Sequence, residues 1–164
     1  MKTWSRWIKT IILCVLSVAI LLCILLLARS NTFERKIGRW IDSNCSTSSE
    51  VCILDIKDIT SFEWDQMFVL NEGFEVEDIE KIVGVRPPSS DFSKRKILFE
   101  KEGAIVLYEE LSSSLEDYVK YQVFFDIPTG KKYEVYTTET AVFIATKGER
   151  GYGPFYGLQR TENK

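Results

Sequence analysis

A run of 19 residues without a charged side chain, Thr10–Ala28, constrains the fold of this chain more than any other feature. A helix of this length spans roughly 28 Å, which is close to the ~30 Å hydrocarbon core of a bilayer. Trp4 and Trp7 precede the run, where interfacial aromatic residues are expected. The sequence therefore predicts a transmembrane helix over residues 10–28, preceded by a cytoplasmic tail of residues 1–9.

The run is more typical of an uncleaved signal anchor than of a cleaved signal peptide. A secretory apolar region has about 7–15 residues and ends at a site flanked by small residues. Here Leu26 stands two residues before Ala28, where a small residue is needed. Basic residues flank the run on both sides, so their distribution does not decide the orientation. The short N-terminal tail and two later cysteines favour an inner-membrane protein with a single span and its folded region outside the cytoplasm.

Residues 29–49 combine an amphipathic stretch with a polar linker. Phe33, Ile37 and Ile41 recur at helical spacing, and Trp40 extends the same stripe. Two interpretations stay open: the stripe lies on the anionic headgroups of the bilayer, or it packs on the folded region. The first interpretation assigns six residues to the membrane interface: Trp4, Trp7, Arg35, Lys36, Arg39 and Trp40.

Cys45 and Cys52 flank a short polar stretch. In an oxidising compartment a disulfide between them would close a small loop and stabilise the fold by about 2 kcal/mol. The alternative is two free thiols in a cytoplasmic domain. Because the inferred orientation is outward, the disulfide is the favoured interpretation. Two cysteines without histidine supply only half of a structural zinc site, so no metal is expected.

Residues 50–164 are predicted to form one extracytoplasmic α+β domain. Short segments with alternating polarity predict strands over 51–56, 62–70, 97–100, 104–109, 119–125, 133–137, 140–147 and 152–158. The segment Glu75–Gly84 has an apolar stripe, an acidic first turn and a terminal glycine, which predict a helix. Short turns favour antiparallel pairing. We therefore expect a single antiparallel sheet covered by this one short helix.

Several classes of chemistry are disfavoured by composition. The chain contains no histidine, which excludes His-based metal sites and His-dependent catalytic triads. The glycines between Gly151 and Gly157 do not form a dinucleotide fingerprint, because Pro154 and aromatic residues follow where a helix must begin. The acidic balance of the domain disfavours nucleic acid. No cofactor and no small-molecule substrate are expected.

Charge is the strongest binding signal, because residues 50–83 carry ten acidic and two basic side chains. An acidic surface suits a basic protein partner, although a solvated acidic face also occurs without one. The candidate partner-binding residues are Glu63, Asp65, Glu72, Glu75, Glu77 and Asp78. Glu63 and Asp65 share a face if they lie on a strand, so they also form a candidate carboxylate pair. A catalytic interpretation requires that the pair line a pocket with a serine or lysine.

The motif Phe62-Glu63-Trp64-Asp65, followed by the acidic helix that ends at Gly84, resembles a family of small bacterial membrane-anchored envelope proteins with an F-x-W-D motif. The resemblance covers residues 62–84. The family often has a Pro-Tyr-Thr-like step before the helix, where this chain has Asn71-Glu72-Gly73-Phe74. The resemblance implies a bacterial source and a position outside the cytoplasm. It implies no activity, because that family has no settled one.

The sequence thus predicts a membrane-anchored envelope protein with a non-enzymatic, protein-binding domain. An immunity or exclusion role suits a small anchored protein by analogy. One alternative is an accessory subunit of a membrane complex that acts through its transmembrane helix. A hydrolase is the least favoured alternative.

Overall fold

The computed structural model describes residues 15–18, 20–21, 32–45, 51–111, 122–150 and 153–161. The chain divides into two compact units, residues 1–32 and 33–164. In the first unit, residues 15–18 and 20–21 are helical, and the rest of the predicted transmembrane segment lies outside the described residues. No helix in the described ranges is both long enough and apolar enough to cross a membrane.

The unit that begins at Phe33 is built mainly from β-strands. Its helices are α1, Phe33–Asn44, and α2, Val76–Val83, with a short 3-10 turn over Ile56–Asp58. Its eight described strands are β1 (Cys52–Asp55), β2 (Gln66–Leu70), β3 (Arg95–Lys101), β4 (Ala104–Leu111), β5 (Gln122–Phe125), β6 (Tyr133–Thr137), β7 (Val142–Arg150) and β8 (Gly153–Arg160).

The strands form two four-stranded sheets, which corrects the predicted fold class of one antiparallel sheet in an α+β domain. Sheet one has the order β1-β7-β8-β5, and sheet two has the order β4-β3-β2-β6. Sheet two is antiparallel, whereas β5 and β8 pair in parallel within sheet one. The prediction was wrong because strand alternation does not reveal partners. The chain moves between sheets after β1, β4, β5 and β6, so three of the six described strand pairs join strands that are not consecutive in sequence.

Two apolar clusters hold these layers together. The larger cluster joins the two sheets and α1, and it includes Phe99, Phe143 and Tyr156, each with no exposed surface. The smaller cluster joins the other face of sheet two to α2, whose Ile79 is fully buried against Phe68 and its neighbours. The helix predicted over 75–84 therefore does cover a sheet, but a second sheet covers the opposite face.

Local sequence signals account for the boundaries of several elements. Gly84 ends α2 in the left-handed conformation, with a φ of 82° that glycine adopts at little cost. The tight turn between β3 and β4 places Glu102 and Gly103 at φ values of 51° and 78°. The strand predicted over 62–70 starts only at Gln66, so Glu63 and Asp65 lie in the irregular segment before it.

Candidate functional site

The amphipathic stretch before the linker belongs to the folded unit. Phe33, Ile37 and Ile41 are at most 2% exposed and form part of the larger core cluster. Of the two interpretations left open by the sequence, burial therefore favours packing on the folded region. Among the predicted membrane-interface residues, Arg35 and Arg39 are exposed, while Lys36 and Trp40 are half-buried. Trp4 and Trp7 lie outside the described residues.

Cys45 and Cys52 are paired as a disulfide, with a Cα–Cα distance of 5.5 Å. Cys45 directly follows α1, and Cys52 is the first residue of β1. Both side chains are half-buried against the larger core cluster. The predicted cysteine pair is thus confirmed at bonding distance, and it ties α1 to the edge of sheet one.

The acidic candidates from the sequence do not form one surface. Glu63 and Asp65 precede β2, whereas Glu72, Glu75, Glu77 and Asp78 follow it. The five residues of β2 separate the two groups by roughly 17 Å. The high local density of acidic residues in the sequence is therefore divided between opposite ends of sheet two.

Asp65 is hydrogen-bonded to the turn between β3 and β4. Its carboxylate accepts from the Lys101 ammonium at 2.9 Å and from the Glu102 backbone N–H at 3.0 Å. The Lys101 hydrogen bond is the main reason that the pKa of Asp65 is lowered, followed by the Glu102 N–H. A cleft of about 470 Å³ is lined by Glu63, Asp65, Lys57 and Lys101, among others, so the pair does share a cleft with lysines. A lowered pKa keeps Asp65 ionised and makes it unsuited to donate a proton.

Most acidic side chains of α2 are bonded within the chain. Arg86 forms ion pairs with Glu77 at 2.9 Å and with Glu80 at 2.7 Å, and Lys81 lies 3.6 Å from Asp78. The pKa of Glu77 is lowered by its own backbone N–H and then by Arg86. These pairs are exposed and therefore contribute little to stability, but they reduce the negative charge that the helix presents.

A buried charge cluster, which the sequence did not predict, joins α1 to both sheets. The Glu109 carboxylate accepts from the backbone N–H of Phe33 at 2.7 Å, and it thereby caps the first turn of α1. Glu34 lies 3.8 Å from Arg95, and both side chains are at most 10% exposed. Burial raises the pKa of Glu109, and the nearby charge of Glu34 adds to this effect. Burial lowers the pKa of Arg95, which Glu34 opposes.

Lys96 is fully buried, and its ammonium is hydrogen-bonded to the loop before β3. Its ammonium donates to the backbone carbonyls of Asp91 and Lys94, each at 2.5 Å. Burial lowers its pKa, which is also the property of a catalytic lysine. The two carbonyl acceptors nevertheless stabilise the charged ammonium, and a protonated amine cannot act as a base. Within the described residues, no group of three or more Cys, Asp or Glu side chains is arranged to hold a metal ion.

A second cleft, also missed by the sequence analysis, lies where β6 begins. It has a volume of about 720 Å³ and is lined by Phe74 and by residues 130–135. Tyr133 and Val135 are 39% and 37% exposed, and the Tyr133 ring packs edge-on against Phe74 at 6.3 Å. One signal was present: Tyr133, Val135 and Tyr136 give β6 apolar residues on both faces. A strand with one solvated face does not have this pattern.

No protein-family model, no curated protein and no solved structure matches this chain.

Proposed function

We propose that this chain is an envelope protein whose folded unit binds a protein partner outside the cytoplasmic membrane. The observation that carries the proposal is the cleft beside β6, where the apolar side chains of Tyr133 and Val135 remain partly exposed next to Phe74. Exposed apolar surface that is contiguous and bordered by charge is typical of a binding site for another protein. Lys131 and Lys132 supply that charged border.

The compartment is proposed from two further observations. The Cys45–Cys52 pair is at disulfide distance, and such bonds persist mainly in oxidising compartments. The charge-free run Thr10–Ala28 offers an apolar segment through which the chain associates with the membrane. The resemblance to membrane-anchored envelope proteins supports the same position. We therefore place the folded unit on the outer side of the inner membrane.

The acidic residues contribute less to this proposal than the sequence suggested. Glu63 and Glu75 are exposed, but they lie at opposite ends of β2. Asp65 and Glu77 are bonded to Lys101 and Arg86. A basic partner therefore stays a prediction from composition, whereas the cleft beside β6 provides a defined surface.

The first test addresses the position of the folded unit in intact cells of a bacterial host. A full-length variant with Cys14→Ser and Cys23→Ser leaves only Cys45 and Cys52 to react. We expect a membrane-impermeant thiol reagent to label these cysteines in spheroplasts only after reduction. Labelling that requires lysis of the cells would contradict the proposed position.

The second test addresses the partner. The full-length chain, expressed at native level in its own host, is treated with a permeable cross-linker and analysed by mass. We expect a discrete adduct with one other protein that excess purified full-length chain competes away. Adducts that appear equally with an unrelated membrane protein, or no adduct at all, would contradict a protein-binding role.

A further inference from the structure

Within the described residues, β6 lies at the edge of sheet two and pairs only with β2. The Asn71 N–H donates to the Lys132 carbonyl at 3.0 Å, so the main chain of Lys132 faces β2. In an antiparallel ladder, successive residues direct their backbone groups alternately toward and away from the neighbouring strand. The backbone N–H and C=O groups of Tyr133 and Val135 therefore face away from β2.

The far end of this edge is closed by the chain itself. The Thr137 N–H donates to the Thr140 hydroxyl at 2.8 Å, and the Thr137 carbonyl accepts from the N–H groups of Thr140 and Ala141. Within the described part of the chain, the outward backbone donors and acceptors of Tyr133 and Val135 thus have no strand beside them. Such unpaired groups are a template for strand addition.

The side chains beside this edge also fit an added strand. The register pairs Tyr133 with Leu70 and Val135 with Phe68, so both exposed side chains lie on the face that carries α2. Phe74 is 6% exposed and closes the cleft behind them. An added strand would direct alternate side chains onto this face, where an apolar residue would cover Tyr133 and Val135.

Two lysines at the beginning of β6 favour extended peptides that carry a negative charge at this end. Lys131 and Lys132 are both exposed and immediately precede β6. Lys131 donates to Glu134 at 2.7 Å, and no ion pair is found for Lys132 within the described residues. A peptide with a carboxylate at this end would pair with Lys132, whereas a basic peptide would be repelled.

We propose that β6 binds an extended peptide segment of the protein partner by strand addition, with apolar residues over Tyr133 and Val135 and an acidic residue at Lys132. This inference rests on the proposed function and names the surface and the class of partner. The ligand strand forms backbone hydrogen bonds with Tyr133 and Val135, and the alternating side chains set its register.

The test uses the full-length chain in mild detergent and two synthetic peptides of about eight residues, a usual strand length. Both peptides alternate valine with threonine, and they end in either two glutamates or two lysines. We expect the glutamate peptide to bind about fivefold more tightly, which corresponds to one exposed charge interaction. Equal affinity for both peptides would contradict the role of Lys132.

Substitutions at Val135 separate the backbone from the side chain. Val135→Pro removes an outward N–H, and Val135→Ser removes the apolar contact while it keeps the backbone. Each variant is expected to weaken the glutamate peptide about fivefold. The matched control is Val106→Ser, because Val106 lies on β4 and is 42% exposed. This control is expected to change affinity less than about twofold. Equal effects of Val135→Ser and Val106→Ser would overturn the proposal.

Two other outcomes identify different occupants of the edge. If a second copy of the chain pairs there, the wild type dimerises, Val135→Pro is monomeric, and neither peptide binds; this result would overturn the proposal. If cross-linking captures a partner equally well with Val135→Pro, the protein-binding function stands but the strand-addition surface is refuted. If no partner is captured while the glutamate peptide binds through Val135, the surface stands and the proposed physiological role fails.

Discussion

The buried contact between Glu34 and Arg95 allows a quantitative prediction about stability. Both residues bond to the edge of β5 that faces away from β8: the Arg95 guanidinium donates to the Val123 carbonyl at 2.6 Å, and the Val123 N–H donates to Glu34 at 3.0 Å. Arg95 also lies over the Phe124 ring, 4.5 Å from its centre. Because both charged side chains are nearly buried, removal of one takes away an opposite charge that stabilises the other.

The expected magnitudes follow from these contacts. Arg95→Met retains the apolar stem but loses a charged hydrogen bond worth about 1.5–3 kcal/mol. It also removes the positive charge beside the nearly buried Glu34 carboxylate, which raises the expected loss of unfolding free energy to about 3–5 kcal/mol. Glu34→Gln keeps an acceptor for the Val123 N–H, so we expect a smaller loss of about 2 kcal/mol. The double variant should lose at least about 1 kcal/mol less than the two single losses together, because the mutual attraction of the two side chains is lost only once.

Urea unfolding of the four full-length proteins, followed by tryptophan fluorescence, measures this cycle. Trp64 is 4% exposed within the larger core cluster, so its emission should report on loss of the core. Arg95→Lys is the control that keeps the charge without the guanidinium geometry, and it should lose less stability than Arg95→Met. A coupling free energy below about 0.5 kcal/mol would refute the reasoning, because independent sites add within that range.

Three further predictions concern single features. Tyr136 has a buried hydroxyl without a hydrogen-bond partner in the described part of the chain, and burial raises its pKa to about 12; Tyr136→Phe should therefore retain the wild-type unfolding free energy or gain up to about 1 kcal/mol in urea melts. Cys45→Ser with Cys52→Ser should lose about 2.5 kcal/mol, and reduction of the wild type should reproduce that loss if the bond is the cause. Because burial and Glu34 raise the pKa of folded Glu109, its contribution to stability is present below the unfolded pKa and is lost as pH rises. The stability of Glu109→Gln relative to wild type should thus improve from about pH 4 to about pH 7 in urea melts, and a constant difference would contradict this assignment.

Several elements could be predicted because their signals are local. The acidic first turn, apolar stripe and terminal glycine of α2 occur within ten residues, and the observed helix, Val76–Val83, lies inside the predicted range. The strand predicted over 133–137 is observed as β6 with the same bounds. The strands predicted over 97–100 and 104–109 are observed as β3 and β4, and the short turn between them contains Gly103 at a positive φ. The signals that predicted these elements each lie within a short stretch of sequence, although β6 pairs with the distant strand β2.

The binding surface could not be predicted in the same way. The many acidic residues between positions 50 and 83 predicted that Glu63 and Asp65 belong to a binding surface. In the structure, β2 separates them from the acidic residues of α2. The cleft beside β6 instead brings together Phe74 and Tyr133, which are far apart in sequence. Composition counts charges along the chain, whereas a surface depends on which charges are bonded to each other and which strand lies at the edge of a sheet.

By itself, the sequence determined the apolar N-terminal run and the positions of most strands, because these depend on composition and short-range pattern. It favoured a bond between Cys45 and Cys52, which the structure places at disulfide distance. Only the tertiary structure decided that the strands form two sheets and that Glu34 and Arg95 bond to the outer edge of β5. It also decided that β6 is left at an edge. The physical reason is that alternation shows which side of a strand is buried but not what buries it. Strand partners are chosen by the packing of the whole core, between segments that the chain brings together only when it folds.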